Sequence, residues 1–204
     1  MENQKFAVIE IGSNNTKVHV YEKGVSIFDN TITIEFKKNY AINKKISKED
    51  LKKLYEIIEL TLQKTSNVYI FGCSIFRKIN KEELDEINEY LMDKYRLQIQ
   101  VVSQNDEALY TAYGCYGDIN YDENICIFIG GGGSTELIFV KNKKIIDQKF
   151  YDFGVVDITN AFPSLKEDYN TCSFEEVSKY VSNLIGDIDY SCDLLILAGG
   201  DHLY

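Results

Sequence analysis

Residues 125–140 read ICIFIGGGGSTELIFV. An apolar run of strand length, Ile125 to Ile129, meets Gly130-Gly131-Gly132-Gly133, then Ser134-Thr135-Glu136 and a second apolar run, Leu137 to Val140. Short apolar runs bounded by turn residues read as strands, so the stretch predicts strand, turn, strand. Four glycines followed by two hydroxyls and an acid are more than a two-residue hairpin requires. Small residues let successive backbone amides approach one oxygen-rich ligand, and Ser and Thr hydroxyls add donors. The common nucleotide fingerprints are absent. No lysine precedes Ser134 and Thr135, which excludes G-x-x-x-x-G-K-[ST], and no glycine stands at 135 or 136 to complete G-x-G-x-x-G. The turn joins two strands, so it offers no helix dipole.

The same pattern opens the chain. Phe6 to Ile11 and Thr16 to Glu22 alternate as strands about Gly12-Ser13-Asn14-Asn15, and a third run extends from Val25 to Phe36. Alone, this first turn reads equally well as an ordinary hairpin or as an anion cradle. Lys144 to Tyr151 is the matching third strand of the second half. Between the two meanders, Ser47 with Asp50, Asn80 with Glu83 and Ser103 with Asp106 mark helix starts. Asn67 to Phe71 and Gln98 to Val102 read as strands. After the second meander, Ser173 with Glu176 opens a helix carrying Val177, Tyr180, Val181, Leu184 and Ile185 at helical spacing, and Asp193 to Ala198 is a last strand. The order βββαβαβα then βββα(α)β predicts two related α/β domains with a cleft between them. The joint is expected within Gly114 to Asn124.

Composition narrows the function. The formal charge of −10 lies almost wholly in residues 101–204, which makes nucleic acid a poor partner there and leaves DNA out of the expected partners. No apolar run is long enough to span a bilayer, and the polar start does not read as a signal peptide. Five cysteines without C-x-x-C spacing fit a reducing cytoplasm better than a disulfide framework or zinc site. His19 and His202 are the only histidines, too few for a His-based metal site, and His19 reads as a packing or surface residue. Seven lysines between Lys37 and Lys53 read as a solvated helix face or as a patch for a polyanion.

In this order, several stretches resemble the exopolyphosphatase / guanosine pentaphosphate phosphohydrolase family of the actin/hexokinase/Hsp70-like ATPase superfamily. Ile9-Glu10-Ile11-Gly12-Ser13-Asn14-Asn15 is similar to I-D-I-G-S-N-S, and Gly72-Cys73-Ser74-Ile75-Phe76-Arg77 to A-T-S-A-L-R. Ser103-Gln104-Asn105-Asp106-Glu107-Ala108 resembles S-G-E-E-E-A, and Gly131 to Glu136 resembles the end of D-I-G-G-G-S-T-E. Phe153-Gly154-Val155-Val156 resembles L-G-x-V, and Gly199-Gly200 a terminal glycine pair. The resemblance implies two ribonuclease H-like (actin-like ATPase) α/β domains, 1–118 and 119–204, with mixed sheets and helices. The second domain ends short of the family's length, an open edge that would invite homodimerisation.

It also implies release of terminal phosphate from inorganic polyphosphate or pppGpp. Glu107 would activate the attacking water. Gly12, Ser13, Asn14, Arg77, Gly131, Gly132, Gly133, Ser134 and Thr135 would bind phosphate. Glu10 and Glu136 would hold Mg²⁺. The match departs from the family where Glu10 replaces an aspartate, moving the carboxylate by about 1.5 Å. Ile129 stands in place of a second aspartate, Asp157 in place of an arginine, and Asn15 and Gln104 are milder changes. A group misplaced by about 1 Å can cost about 100-fold in rate. Beside hydrolysis the sequence therefore keeps open a phosphate- or nucleotide-binding regulatory protein without turnover, and another superfamily activity such as a kinase or ATPase.

Overall fold

The computed structural model describes residues 5–116, 124–168 and 172–199. Gly200, His202, Tyr204 and most of the expected joint lie outside them. The chain divides into two compact units, Met1–Glu107 and Ala108–Tyr204. Glu107 and Ala108 both lie in the helix Gln104–Tyr116.

In the first unit, β1 (Phe6–Ile11), β2 (Asn15–Glu22) and β3 (Val25–Thr33) form an antiparallel meander, followed by helices α1 (Phe36–Asn43) and α2 (Lys48–Leu62). Then come β4 (Val68–Gly72), a 3-10 turn (Ser74–Arg77), α3 (Lys81–Tyr95), β5 (Ile99–Val101) and α4 (Gln104–Tyr116). The sheet order is β3-β2-β1-β4-β5, with β4 parallel to both β1 and β5. Alternation along β1 and β2 sends Ala7, Ile9, Ile11, Val18 and Val20 into a core with Leu54, Ile58 and Leu91 from the helices. Asn80 caps α3, accepting from the Glu83 amide at 2.8 Å. The Glu83 carboxylate does not close a capping box; it accepts from the Ile46 amide at 2.6 Å and so ties α3 to the start of α2.

The expected third strand is too long. It ends at Thr33, and Phe36 begins α1. Ile34 and Phe36 continue the alternation, yet Phe36 is buried because the backbone turns there, its amide donating to the Ile34 carbonyl at 2.8 Å. Of the lysines in this region, Lys38, Lys52 and Lys53 pair with Glu35, Glu56 and Glu49 on neighbouring helical positions, as on a solvated face. His19 pairs with Asp29 across the β2–β3 ladder at 2.5 Å.

The second unit contains β6 (Ile125–Gly130), β7 (Thr135–Lys141), β8 (Lys144–Tyr151), α5 (Val155–Ala161), α6 (Phe174–Ile185) and β9 (Leu194–Ala198). Its sheet order is β8-β7-β6-β9, with β9 parallel to β6. One sheet face packs Ile125, Ile127, Ile138 and Val140 with Ala108 and Ala112 of α4; the other gathers Cys126, Leu137 and Phe139.

The two meanders repeat at one constant offset along the chain. The pair Ile11–Thr16 recurs as Gly130–Thr135. The irregularity at Val20/Tyr21 recurs at Phe139/Val140. The left-handed pair Lys23 and Gly24 recurs as Asn142 and Lys143. Two sequences with few identities thus solve one local problem in the same way.

Candidate functional site

The first turn is closed by the Gly12 amide donating to the Asn15 carbonyl at 2.9 Å, which leaves Ser13 and Asn14 at the tip. A Cβ on Gly12 would lie 3.1 Å from that same carbonyl, so a bulkier residue would push the turn open. The tip's carbonyls face the chain that follows β3. Asn14 accepts from the Ile34 amide at 3.0 Å and Ser13 from the Lys37 amide at 2.9 Å. Glu10, in β1, lies opposite Lys17 with a carboxylate–ammonium distance of 3.6 Å.

The turn after β4 lies beside this tip. The Cys73 amide donates to the Ile11 carbonyl at 2.9 Å, and the hydroxyls of Ser13 and Ser74 are 2.5 Å apart. Gly72 allows the turn to fold back, because a Cβ there would meet Phe76 and Ile99 within 3 Å. Phe76 anchors it, buried and edge-on to Phe36. Arg77, at the far end, donates from Nη1 to Glu107 Oε2 at 2.6 Å and to the Val102 carbonyl at 3.1 Å. Glu107 stands in the first turn of α4, whose start is capped by Ser103 accepting from the Asp106 amide at 3.1 Å. Burial pushes the Cys73 thiol up to about 12, and the negative charges of Glu107 and then Glu10 add to the effect. The Cys73–Ile11, Ser13–Ser74 and Arg77–Glu107 hydrogen bonds gather Ser13, Ser74, Arg77 and Glu107 at the same end of the first sheet, with Glu10 one residue before Ile11 on β1.

The second turn has the same closure, the Gly131 amide donating to the Ser134 carbonyl at 2.9 Å. Gly132 accepts from the Val156 amide at 2.9 Å and Gly131 from the Val155 amide at 3.0 Å, so the start of α5 holds this turn as the start of α1 holds the first. None of Gly131, Gly132 and Gly133 has a positive φ. What this turn requires of its glycines is close approach: Gly154 packs so tightly on it that a Cβ there would fall 2.2 Å from the Gly131 carbonyl oxygen. Thr135 is buried, and its hydroxyl donates to the Phe153 carbonyl at 2.9 Å, bracing the base of the turn. Glu136 is buried beside it, with Ile129 opposite on β6. Asp157, the reversed charge, caps α5 by accepting from the Gly154 amide at 2.9 Å.

Sequence reading singled out Ser13, Arg77 and Glu107, and the structure brings Ser74 to the first and joins the other two. Ser74 lies inside the Gly72–Arg77 stretch, but its contact with Ser13 spans sixty-one positions and leaves no local signal. Gly154 and Asp157 were visible only as part of a resemblance. Among the described residues, no group of three or more His, Cys, Asp or Glu side chains could hold a metal ion. Glu10 and Glu136 therefore each fit at most as one carboxylate of an open Mg²⁺ site completed by water and phosphate oxygens, which that ion commonly accepts. No helix among the described residues is long and apolar enough to cross a membrane.

The Ppx/GppA phosphatase family model matches residues 16–194. Among solved structures, the type II variant of the Aquifex aeolicus Ppx/GppA phosphatase superposes with a TM-score of 0.76 at 16% identity, covering 97% of this chain and 68% of that one. A second Aquifex aeolicus family structure gives 0.72 at 17% identity, covering 97% and 66%. An exopolyphosphatase from Cytophaga hutchinsonii gives 0.67 at 16% identity, covering 97% and 67%. At these identities the likeness is one of fold, and the chain spans about two thirds of the length of these proteins. No curated protein matches the sequence.

Proposed function

The chain belongs to the Ppx/GppA phosphatase family, and from that membership and its paired motif residues we propose that it removes terminal phosphate from inorganic polyphosphate or pppGpp. Its fold is the α/β fold of actin-like ATPases. The observation that carries the reading is the Arg77–Glu107 pair at 2.6 Å, which joins two distant motif positions at the end of the first sheet. In this reading the turns at Gly12–Asn15 and Gly131–Ser134 each offer phosphate oxygens backbone amides and a hydroxyl, that of Ser13 or of Ser134.

Arg77 serves two states. Before substrate arrives it neutralises Glu107; when phosphate enters, its planar fork turns to the phosphate oxygens and releases the carboxylate toward the attacking water. Glu107 then orients that water and accepts its proton. Bound Mg²⁺, with Glu10 or Glu136 among its ligands, would neutralise developing charge on the phosphate oxygens.

The experiment is phosphate release from long-chain polyphosphate, pppGpp and ATP across a Mg²⁺ series. Release from one of the first two is expected, reduced about 100-fold or more in Glu107→Gln. Undiminished release in that variant removes Glu107 from its role. A second reading, binding of (p)ppGpp or polyphosphate without turnover, is favoured by Ile129 opposite Glu136, where a second carboxylate is missing. It predicts a rise in melting temperature with these ligands and no release of phosphate.

A further inference from the structure

We infer that Ser74 is a positioning residue that aims the Ser13 hydroxyl at the bound phosphate. The inference rests on the proposed function, because it assigns a donor within that same site. Two observations carry it. The Ser13 and Ser74 oxygens are 2.5 Å apart, although one belongs to the β1–β2 turn and the other to the 3-10 turn after β4. Ser74 also holds φ at 43°, a left-handed backbone that non-glycine residues avoid unless surrounding structure enforces it. Glycine would take that conformation freely, so the presence of a serine there points to its hydroxyl.

The chemistry follows from the capacity of a hydroxyl, one hydrogen to give and two lone pairs to receive. When Ser74 donates to Ser13, the Ser13 hydrogen is freed for an anion, and a hydroxyl that accepts one hydrogen bond donates the next more strongly. The surroundings keep the pair in register. The Cys73 amide is fixed to Ile11, the residue before Gly12, and Phe76 is buried edge-on against Phe36. Ser74 can therefore move little relative to the tip it serves. Arg77 closes the same turn at its other end, so one short segment would both orient the Ser13 hydroxyl and present a guanidinium to the substrate.

The test is titration of tripolyphosphate into the full chain with Mg²⁺, followed calorimetrically, for the unmutated protein, Ser13→Ala, Ser74→Ala, the double variant and Ser74→Gly. Ser74→Ala should weaken binding about three- to tenfold, in the range of one hydrogen bond. Adding it to Ser13→Ala should cost nothing more, because the hydroxyl it positions is already gone. Ser74→Gly should weaken binding as much as Ser74→Ala while melting at a higher temperature, since glycine relieves the left-handed backbone. Affinity within twofold of the unmutated chain in Ser74→Ala, or losses that multiply in the double variant, would overturn the inference and leave the proposed function standing. No binding by the unmutated chain would overturn both.

Discussion

Cys73 is the most informative single titrating group, because two carboxylates act on it. Its thiol is held up to about 12 against an ordinary value of 9.0, first by burial and then by Glu107 and Glu10. A folded pKa above the unfolded one means stability that is complete below about pH 9 and drains away as pH rises toward 12. Thermal melts across that window should fall, and Cys73→Ala should flatten the slope. A slope that Cys73→Ala leaves unchanged would separate the thiol from the alkaline loss. The same residue should resist iodoacetamide at pH 8 while exposed Cys192 is labelled. At this scale the motif positions are legible in the sequence, but little of whom they meet. Arg77 and Glu107 both stood on motif positions, yet thirty positions separate them. Their union depends on how β4, β5 and α4 stack.

At the level of elements, the second turn and α5 behave as one piece joined through Gly154. A Cβ at that position collides with three backbone atoms within 3 Å, and backbone cannot swing aside as a side chain can. Gly154→Ala should destabilise the chain by about 2 kcal/mol or more, read as a lowered denaturation midpoint. Gly114, in α4, is the control: nothing lies within 4 Å of its missing Cβ. Gly114→Ala should stabilise by up to about 1 kcal/mol through helix propensity alone. Most elements could be read from the chain because their signals are local. Alternation gave β1 and β2, and Ser47, Asn80, Ser103 and Ser173 each accept a backbone hydrogen bond three residues on, as capping residues do. The exception, α1, has no side-chain cap and buries only Phe36, so it lacks both signals by which short helices announce themselves.

For the molecule as a whole, burial is uneven. The first unit's core contains Ile9, Ile11, Leu54, Ile58 and Leu91 at full or near-full burial. In the second unit, α6 has no buried residue despite its apolar stripe, and Leu195 and Leu197 of β9 are more than half exposed. Hydrogen exchange should therefore be faster through α6 and β9 than through β1 and α2. Equal protection would mean that surface left open here is covered in solution. In both units, moreover, the tip of the meander is tethered by its own carbonyls to the first turn of the next helix, Ser13 to Lys37 and Gly132 to Val156. Such a tether works in both directions. Whatever grips a tip from outside also tightens the peptide groups behind it, so occupancy should be legible at a distance, as slowed deuterium uptake at two amides that no guest ever touches.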